Sequence, residues 1–231
     1  YLLYVTPSLW RQYDTPLYKQ ISKLQIIYLS IHSVKDGLST FKCSTRYDIY
    51  LIQNIPHYST TLIIDELGVS RTIDLSKYQF IPNCYFEEVE KLLTDTESKL
   101  SVHKYRSNYG TDKPHVSKIK TNIFKYPVIY SVKKHNIPTI FYSSTNKNGH
   151  FGESKFIFSN GSGFLCDVDG KYGLTEWSYC IYDKKENIAL IEKAFNNPEF
   201  VKIKLAIQLD SSTYNIKVMK CFRSDFWRDY I

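Results

Sequence analysis

Hydrophobic and polar positions in the first part of the chain predict three β-strands, with a helix between the first two. Residues 1–5, 25–31 and 47–53 are short apolar runs rich in Ile, Leu and Tyr, as expected for buried strands. Pro16 opens an amphipathic segment between the first two runs, and proline is favoured at the first position of a helix. This order of elements predicts a sheet with helical cover, and therefore an α/β fold.

The first predicted strand begins without a preceding turn or helix cap. The only methionine is Met219, so Tyr1 is not an initiator residue. We therefore expect the chain to be the C-terminal part of a larger polypeptide, whose sheet includes further strands before Tyr1.

A hairpin and a helix are predicted to follow the three strands. Residues 60–65 and 71–74 flank a turn at Gly68 and read as a hairpin-like pair. Residues 84–97 carry apolar side chains at helical spacing and have glutamates in their opening turns, which the helix dipole favours. We place the domain boundary after this helix, with residues 1–95 in the first domain and 96–231 in the second.

The second domain is predicted to be a compact α+β unit. Strands are expected at 126–131, 139–143 and 155–159, and a helix at 187–195. Residues 200–209 also alternate like a strand, but Asn197 and Pro198 form a typical helix N-terminus. A helix is therefore preferred for this segment.

Composition favours a globular protein of a reducing compartment. Of the 231 residues, 43% are hydrophobic, yet no apolar run approaches the ~20 residues of a membrane span. The five cysteines are odd in number and widely spaced, without the Cys-x-x-Cys pairs of zinc sites. We therefore expect free thiols, a cytoplasmic location and no membrane partner.

Positive charge is concentrated in one part of the chain. The net charge is +7, but residues 99–155 alone hold eleven basic and two acidic residues, a net +9. Tyrosines, phenylalanines and histidines are interleaved with these lysines and can stack on bases or bond to phosphates. A solvated basic face is the simpler alternative, but the aromatic residues favour nucleic acid as the partner.

Several segments resemble a known enzyme family. They read LLYVTPSLWR at 2–11, FKCSTRYDIYLIQ at 41–53, HFGESKFIFS at 150–159, DVDGKYG at 167–173 and NPEF at 197–200. The first two are similar to the closing half of the catalytic domain in gamma-class adenine-N6 DNA methyltransferases, including those of type II restriction–modification enzymes. The later three resemble the target-recognition domain that follows it.

The resemblance implies a fold, a cofactor and partners. The first domain would be the C-terminal part of a Rossmann-like methyltransferase sheet, and the second an α+β DNA target-recognition domain. The parent protein would use S-adenosylmethionine and act on double-stranded DNA. The glycine-rich cofactor loop and the Asn/Asp-Pro-Pro-Tyr/Phe catalytic tetrapeptide would lie before Tyr1. The chain by itself is therefore expected to be inactive, to hold no main cofactor motif or metal ligand, and to need the rest of the catalytic domain.

The resemblance also implies a role for Phe41. A base must leave the duplex before its amino group can be modified, and stacking on an aromatic ring offsets part of that cost. In the family an aromatic residue just before a Thr/Val-rich strand contacts the flipped adenine, and Phe41 occupies the matching place. The alternative is that Phe41 is a core residue at a strand entrance.

DNA contacts are expected from residues of the basic region and from Arg46. Arg46 can contact a phosphate or merely pair with the neighbours of Asp48, and His150 can contact a base edge or phosphate. The predicted DNA-binding residues are Arg46, Arg106, Lys118, Lys120, Lys125, Lys133, Lys134, Lys147, His150 and Lys155.

Other functions have weaker signals. Glu153-Ser154-Lys155 matches half of a metal-dependent nuclease signature, although Asp112 is the only acid between Lys99 and Glu153. Asp167-Val168-Asp169-Gly170 begins like a calcium loop but lacks the later ligands, which favours a tight turn. A non-catalytic DNA-binding specificity module, or a virally encoded decoy, is the alternative from another functional class.

Overall fold

The computed structural model describes residues 1–103, 109–159, 163–209 and 214–231. It is a mixed α/β structure with three sheets, in agreement with the predicted class. Two compact units are present: Tyr1–Lys99 with Lys202–Arg223, and Leu100–Val201 with Ser224–Ile231. The division predicted at residue 95 assigns Lys202–Arg223 to the second domain, whereas these residues pack within the first unit.

The first unit is built on a five-stranded sheet with the order β1-β3-β2-β4-β5. Its strands are β1 (Leu2–Pro7), β2 (Leu24–His32), β3 (Tyr47–Pro56), β4 (Thr61–Ile64) and β5 (Ser70–Ile73). Because β3 is antiparallel to both β1 and β2, these two strands run in the same direction. Strand β4 is parallel to β2 and forms the predicted hairpin with β5.

Short helices lie in the same unit as this sheet. They are α1 (Pro16–Ile21), α2 (Val34–Phe41), α3 (Phe86–Glu90) and α6 (Ile216–Met219). Thr15 caps α1 by accepting a hydrogen bond from the Tyr18 backbone, and Pro16 follows at the first helical position. Tyr18 and Ile21 then pack into a core with Trp10, Leu29 and other buried side chains.

Strand β1 was predicted correctly, but its predicted burial is wrong. Residues 1–5 expose between 40 and 78% of their side-chain surface, although the run is almost entirely apolar. Leu2 and Leu3 point to opposite faces of a strand, and both are exposed. The reason for this exposure is the position of β1, which lies at one edge of the described sheet, next to β3.

The helix predicted at 84–97 is much shorter than its apolar spacing suggested. It begins after Tyr85, which has a left-handed φ of 52°, and ends at Glu90. Beyond it the chain pairs with a distant segment: Leu93 bridges Phe222, and the Thr94 amide donates to the Cys221 carbonyl at 3.0 Å. These backbone contacts replace a further helical turn.

The second unit contains two small sheets, ordered β11-β7-β8-β6 and β10-β9-β12. The strands are β6 (Val116–Ser117), β7 (Tyr126–Lys133), β8 (Ile137–Ser143), β9 (Lys155–Ser159), β10 (Phe164–Asp167), β11 (Gly173–Leu174) and β12 (Ser178–Tyr182). The three strands predicted in this region are confirmed as β7, β8 and β9. Phe156 and Phe158 on β9 pack against Phe195, which lies on a helix of the same unit.

Both helices predicted near the C-terminus are confirmed. They are α4 (Lys185–Asn196) and α5 (Pro198–Ile207). Residues 200, 203, 206 and 207 are buried while 201 and 202 are exposed, which is the spacing of a helix rather than a strand.

Two further features bear on the expected environment of the protein. Among the described residues, no helix combines the length and apolar character needed to cross a bilayer. All five cysteines lie in the described part of the chain and are free thiols.

Candidate functional site

A buried carboxylate joins the two segments of the first unit that carry the family resemblance. The Asp48 side chain on β3 accepts hydrogen bonds from Ser8 Oγ at 3.1 Å, Trp10 Nε1 at 2.7 Å and Arg11 Nε at 2.8 Å. Asp48 and Arg11 are completely buried. The 3-10 helix Ser8–Arg11, which follows β1, is thereby fixed to the neighbouring strand.

The Arg11 guanidinium extends this network to a third segment. Its Nη1 donates to the carbonyls of Ile81 and Pro82 at 2.8 and 3.0 Å, and its Nη2 donates to Asn83 Oδ1 at 2.8 Å. A buried charge is tolerated only when it is paired and hydrogen-bonded, and Arg11 meets both conditions. The network therefore ties the end of β1 to β3 and to residues 81–83.

A pocket of about 280 Å³ lies at this end of the sheet. Open α/β sheets bind ligands beyond the carboxyl ends of their strands, and β1 and β2 both end here. The residues that line the pocket are Pro7, Ser8, Leu9, Val34, Ser44, Thr45, Arg46, Gln208 and Leu209.

Arg46 lines the pocket, but it is already paired. Its Nη1 forms an ion pair with Glu66 and its Nη2 donates to Gln208 at 3.5 Å, while only 7% of its side chain is exposed. Its Nε is buried and has no hydrogen-bond partner among the residues that the structure describes. The Arg46 guanidinium is therefore paired with a carboxylate that the sequence did not single out.

Phe41 is the last residue of α2, next to the loop that borders the pocket. Its ring is 49% exposed and meets the ring of Tyr47 edge to face at 4.9 Å. Tyr47 in turn stacks on His32 at 4.3 Å. Val34 and Ser44, on either side of Phe41 in sequence, line the pocket. Phe41 is therefore not enclosed in the core, and part of its ring is open to a ligand.

Local interactions explain where α2 begins and where it ends. Ser33 and Asp36 form a reciprocal capping box at its start, and the hydrogen bonds from Ser33 hold the pKa of the Asp36 carboxyl below its usual value. Gly37 allows the loop to return against the helix, since a Cβ there would lie 1.9 Å from the Thr45 carbonyl oxygen. Lys42 then adopts a left-handed φ of 58° and reverses the chain.

In the second unit, most of the predicted DNA-binding lysines lie at the surface. Arg106 lies outside the described residues. Those that are exposed are Lys118, Lys120, Lys125, Lys133, Lys134 and Lys147. The second unit therefore presents these charges to solvent, as an electrostatic contact with a polyanion requires.

The prediction that Lys155 contacts DNA is wrong, because its side chain is completely buried. Lys155 Nζ forms an ion pair with Asp167 at 2.6 Å and donates to the Glu153 carbonyl at 3.0 Å. Lys155 and Asp167 face each other in the antiparallel register of β9 and β10. Asp167 also accepts hydrogen bonds from the backbone amides of Lys171 and Tyr172. It therefore organises the tight turn that the sequence predicted.

His150 lies in a tightly turned loop and is half-buried rather than fully exposed. Asn148, Gly149, His150 and Gly152 all have φ between 62 and 82°, in the left-handed region. The imidazole Nδ1 is hydrogen-bonded to the Tyr182 hydroxyl. Burial, with smaller effects from His103 and Lys155, lowers the pKa of His150 to about 4. A neutral imidazole at physiological pH offers no charge to a phosphate.

Sequence reasoning did not single out an aromatic groove on the four-stranded sheet. Tyr130 and Phe141 stack at 5.1 Å, and Lys118 Nζ lies 5.8 Å from the centre of the Phe141 ring. The groove has a volume of about 680 Å³ and also includes Thr111, Val116, Thr139 and Ile140. The ring contact between Tyr130 and Phe141 depends on the register of β7 and β8. The separate sequence segments do not specify that register.

The described residues include no group of three or more His, Cys, Asp or Glu side chains arranged to hold a metal ion. In comparisons with known proteins, no protein-family model matches the chain, and no curated protein sequence matches it significantly.

Proposed function

We propose that this chain is the C-terminal part of a DNA adenine-N6 methyltransferase. In this proposal the first unit belongs to the catalytic domain, and the second unit binds double-stranded DNA and recognises the target sequence. The proposal starts from the resemblance of residues 2–11 and 41–53 to that family, and three features of the structure support it.

The observation that carries the proposal is the convergence of those two segments around Asp48. Their quoted motifs meet through the hydrogen bonds of Ser8, Trp10 and Arg11 to that carboxylate. Together they border the pocket at the carboxyl ends of β1 and β2. This is the part of an α/β sheet where ligands bind.

Phe41 supports the same proposal because its ring is half exposed beside this end of the sheet. Extruding a base from a duplex costs a few kcal/mol. Stacking on an aromatic side chain contributes about 1–3 kcal/mol per base and offsets part of that cost. A half-exposed ring, held from one side by Tyr47, provides such a surface.

The exposed edge of β1 supports the expectation of a larger sheet. An apolar edge strand with unpaired backbone groups tends to pair with another strand. We propose that the remainder of the methyltransferase catalytic domain pairs with β1. That part would supply the S-adenosylmethionine loop and the catalytic tetrapeptide, and we assign no residue of this chain to the cofactor.

Duplex binding by the 231-residue chain tests the DNA part of the proposal. Each neutralised phosphate contributes about −0.9 to the slope of log affinity against log salt concentration. Replacing Lys118, Lys120 and Lys125 with Gln should flatten that slope by up to about three such increments. The matched control replaces Lys23, Lys184 and Lys193, which are also exposed. Salt-independent affinity, or no binding, would contradict the proposal.

Variants at Phe41 test the base-flipping part of the proposal. They are made in a protein that also contains the rest of the catalytic domain. Fluorescence of 2-aminopurine at the target adenine should rise on binding, fall for Phe41→Ala and largely persist for Phe41→Trp. Leu38→Ala is the matched control, since Leu38 is an equally exposed apolar residue of α2. DNA binding without flipping or methyl transfer would instead favour a non-catalytic specificity module.

A further inference from the structure

The segment that joins β6 to β7, residues 118–125, exposes two large aliphatic side chains. Ile119 is 70% exposed and Ile123 is 68% exposed. Single exposed aliphatic residues are common on protein surfaces. Two within five residues, each more than two-thirds exposed, form a local apolar projection, which we call the isoleucine turn.

Hydrogen bonds within the isoleucine turn fold its backbone. The Ile119 amide donates to Ser117 Oγ at 3.0 Å, and Thr121 Oγ1 accepts from the amides of Ile123 and Phe124 at 3.2 and 3.0 Å. The Thr121 amide donates to the Phe124 carbonyl at 3.1 Å. The two isoleucines are therefore held out from the sheet by a folded backbone, and little ordering would be needed on binding.

The charge around the isoleucine turn selects the kind of partner. Lys118, Lys120 and Lys125 lie within it and are exposed. The sequence has no Asp or Glu from Lys113 to Gly152, so that no acidic residue of this segment offsets those charges. An apolar projection flanked by lysines is complementary to a duplex, which has phosphates on its rim and stacked bases inside its grooves.

We propose that the isoleucine turn is a wedge that inserts Ile119 and Ile123 between base steps of bound DNA while its lysines neutralise phosphates. This inference rests on the DNA-binding function proposed above and adds a distortion of the duplex. Proteins that insert Ile, Leu or Phe in this way kink DNA by roughly 20–90°. Lys118 also lines the groove beside Tyr130, whose ring is partly exposed.

A bending assay with the 231-residue chain tests the wedge. A duplex of about 25 base pairs carries a donor and an acceptor dye at its ends, and energy transfer between them reports the end-to-end distance. The wild-type chain should raise the transfer, and the double variant Ile119→Ser/Ile123→Ser should abolish that rise. Affinity should fall roughly tenfold for each isoleucine, because burial of a large aliphatic side chain is lost. The salt slope should remain, since the lysines are unchanged.

The control variant and the alternative outcomes separate the wedge from the proposed function. Leu67→Ser/Val69→Ser removes two exposed aliphatic residues from a turn next to Asp65 and Glu66, and it should bend DNA like the wild type. If the wild-type chain binds DNA with a steep salt slope but the isoleucine variant bends it equally, the wedge is refuted and the proposed function stands. If the wild-type chain binds no DNA, both fail. If the isoleucines are instead required for binding to phosphatidylserine vesicles and not for DNA bending, the turn contacts lipid and the wedge is refuted.

Discussion

Replacing Asp48 by alanine should destabilise the first unit more than any surface substitution. The carboxylate is fully buried and accepts hydrogen bonds from Ser8, Trp10 and Arg11. In Asp48→Ala all three donors lose their acceptor, and the buried Arg11 guanidinium loses the carboxylate with which it is paired.

The expected loss follows from the burial of both ions. Removing one partner of a buried ion pair typically costs about 3–5 kcal/mol, because the remaining charge is left uncompensated. A natural domain has about 5–15 kcal/mol of unfolding free energy. Asp48→Ala should therefore remove a large fraction of the stability of the first unit. In the double variant Arg11→Met/Asp48→Leu no charge is left uncompensated, and its loss should be smaller than the sum of the two single losses.

Urea unfolding followed by circular dichroism measures these effects. With a denaturant dependence of about 2 kcal/mol per molar urea, a loss of about 3–5 kcal/mol lowers the midpoint by about 1.5–2.5 M. Asp14→Ala is the matched control, since it removes an exposed ion pair with Lys19 and should leave the midpoint almost unchanged. A wild-type midpoint for Asp48→Ala would refute the view that this network stabilises the unit.

Three further predictions concern stability. Lys155→Met should lower the unfolding free energy by about 3–5 kcal/mol, because the buried Asp167 carboxylate loses its cation. The DNA affinity proposed above should stay unchanged in the folded variant, and a selective loss of that affinity would contradict this prediction. The pKa of His150 is about 4 in the folded chain against an ordinary 6.5, so the unfolded state binds more protons between these values and stability should fall as the pH decreases through that window. Asparagine tolerates the positive φ at this position, and His150→Asn should flatten the pH dependence of thermal unfolding; an unchanged dependence would exclude His150 as its source. Gly37→Ala should lower the unfolding free energy measured in urea by about 1–3 kcal/mol, because the added methyl group would clash with the Thr45 carbonyl. A variant with wild-type stability would show that the loop can move away.

Local patterns were enough to predict the type of most elements. Apolar runs identified β2, β3 and β9, and the Asn197-Pro198 start favoured a helix for α5 over the competing strand pattern. The same reasoning failed for the burial of β1, since an apolar strand at a sheet edge has the same local sequence as one in the centre.

The candidate site was only partly accessible from sequence because its contacts are long-range. Phe41 was selected through the family resemblance and the lysines through the concentration of positive charge, and their roles remain predictions. Asp48 could not be selected, since its partners lie 37 to 40 residues away and their meeting depends on the register of β1 and β3. Lys155 was misassigned for the same reason: its charge suggested a surface, while the pairing of β9 with β10 places it opposite Asp167.

The return of Lys202–Arg223 to the first unit sets the order in which that unit can be completed during synthesis. Asn83 holds this segment through its backbone amide, which donates to the Ala206 carbonyl, and through its side-chain amide, which donates to the carbonyls of Leu205 and Gln208. These bonds close loops of more than one hundred residues, and such contacts form slowly. The first unit is therefore completed only after Lys202–Arg223 has been translated, long after the strands of its sheet.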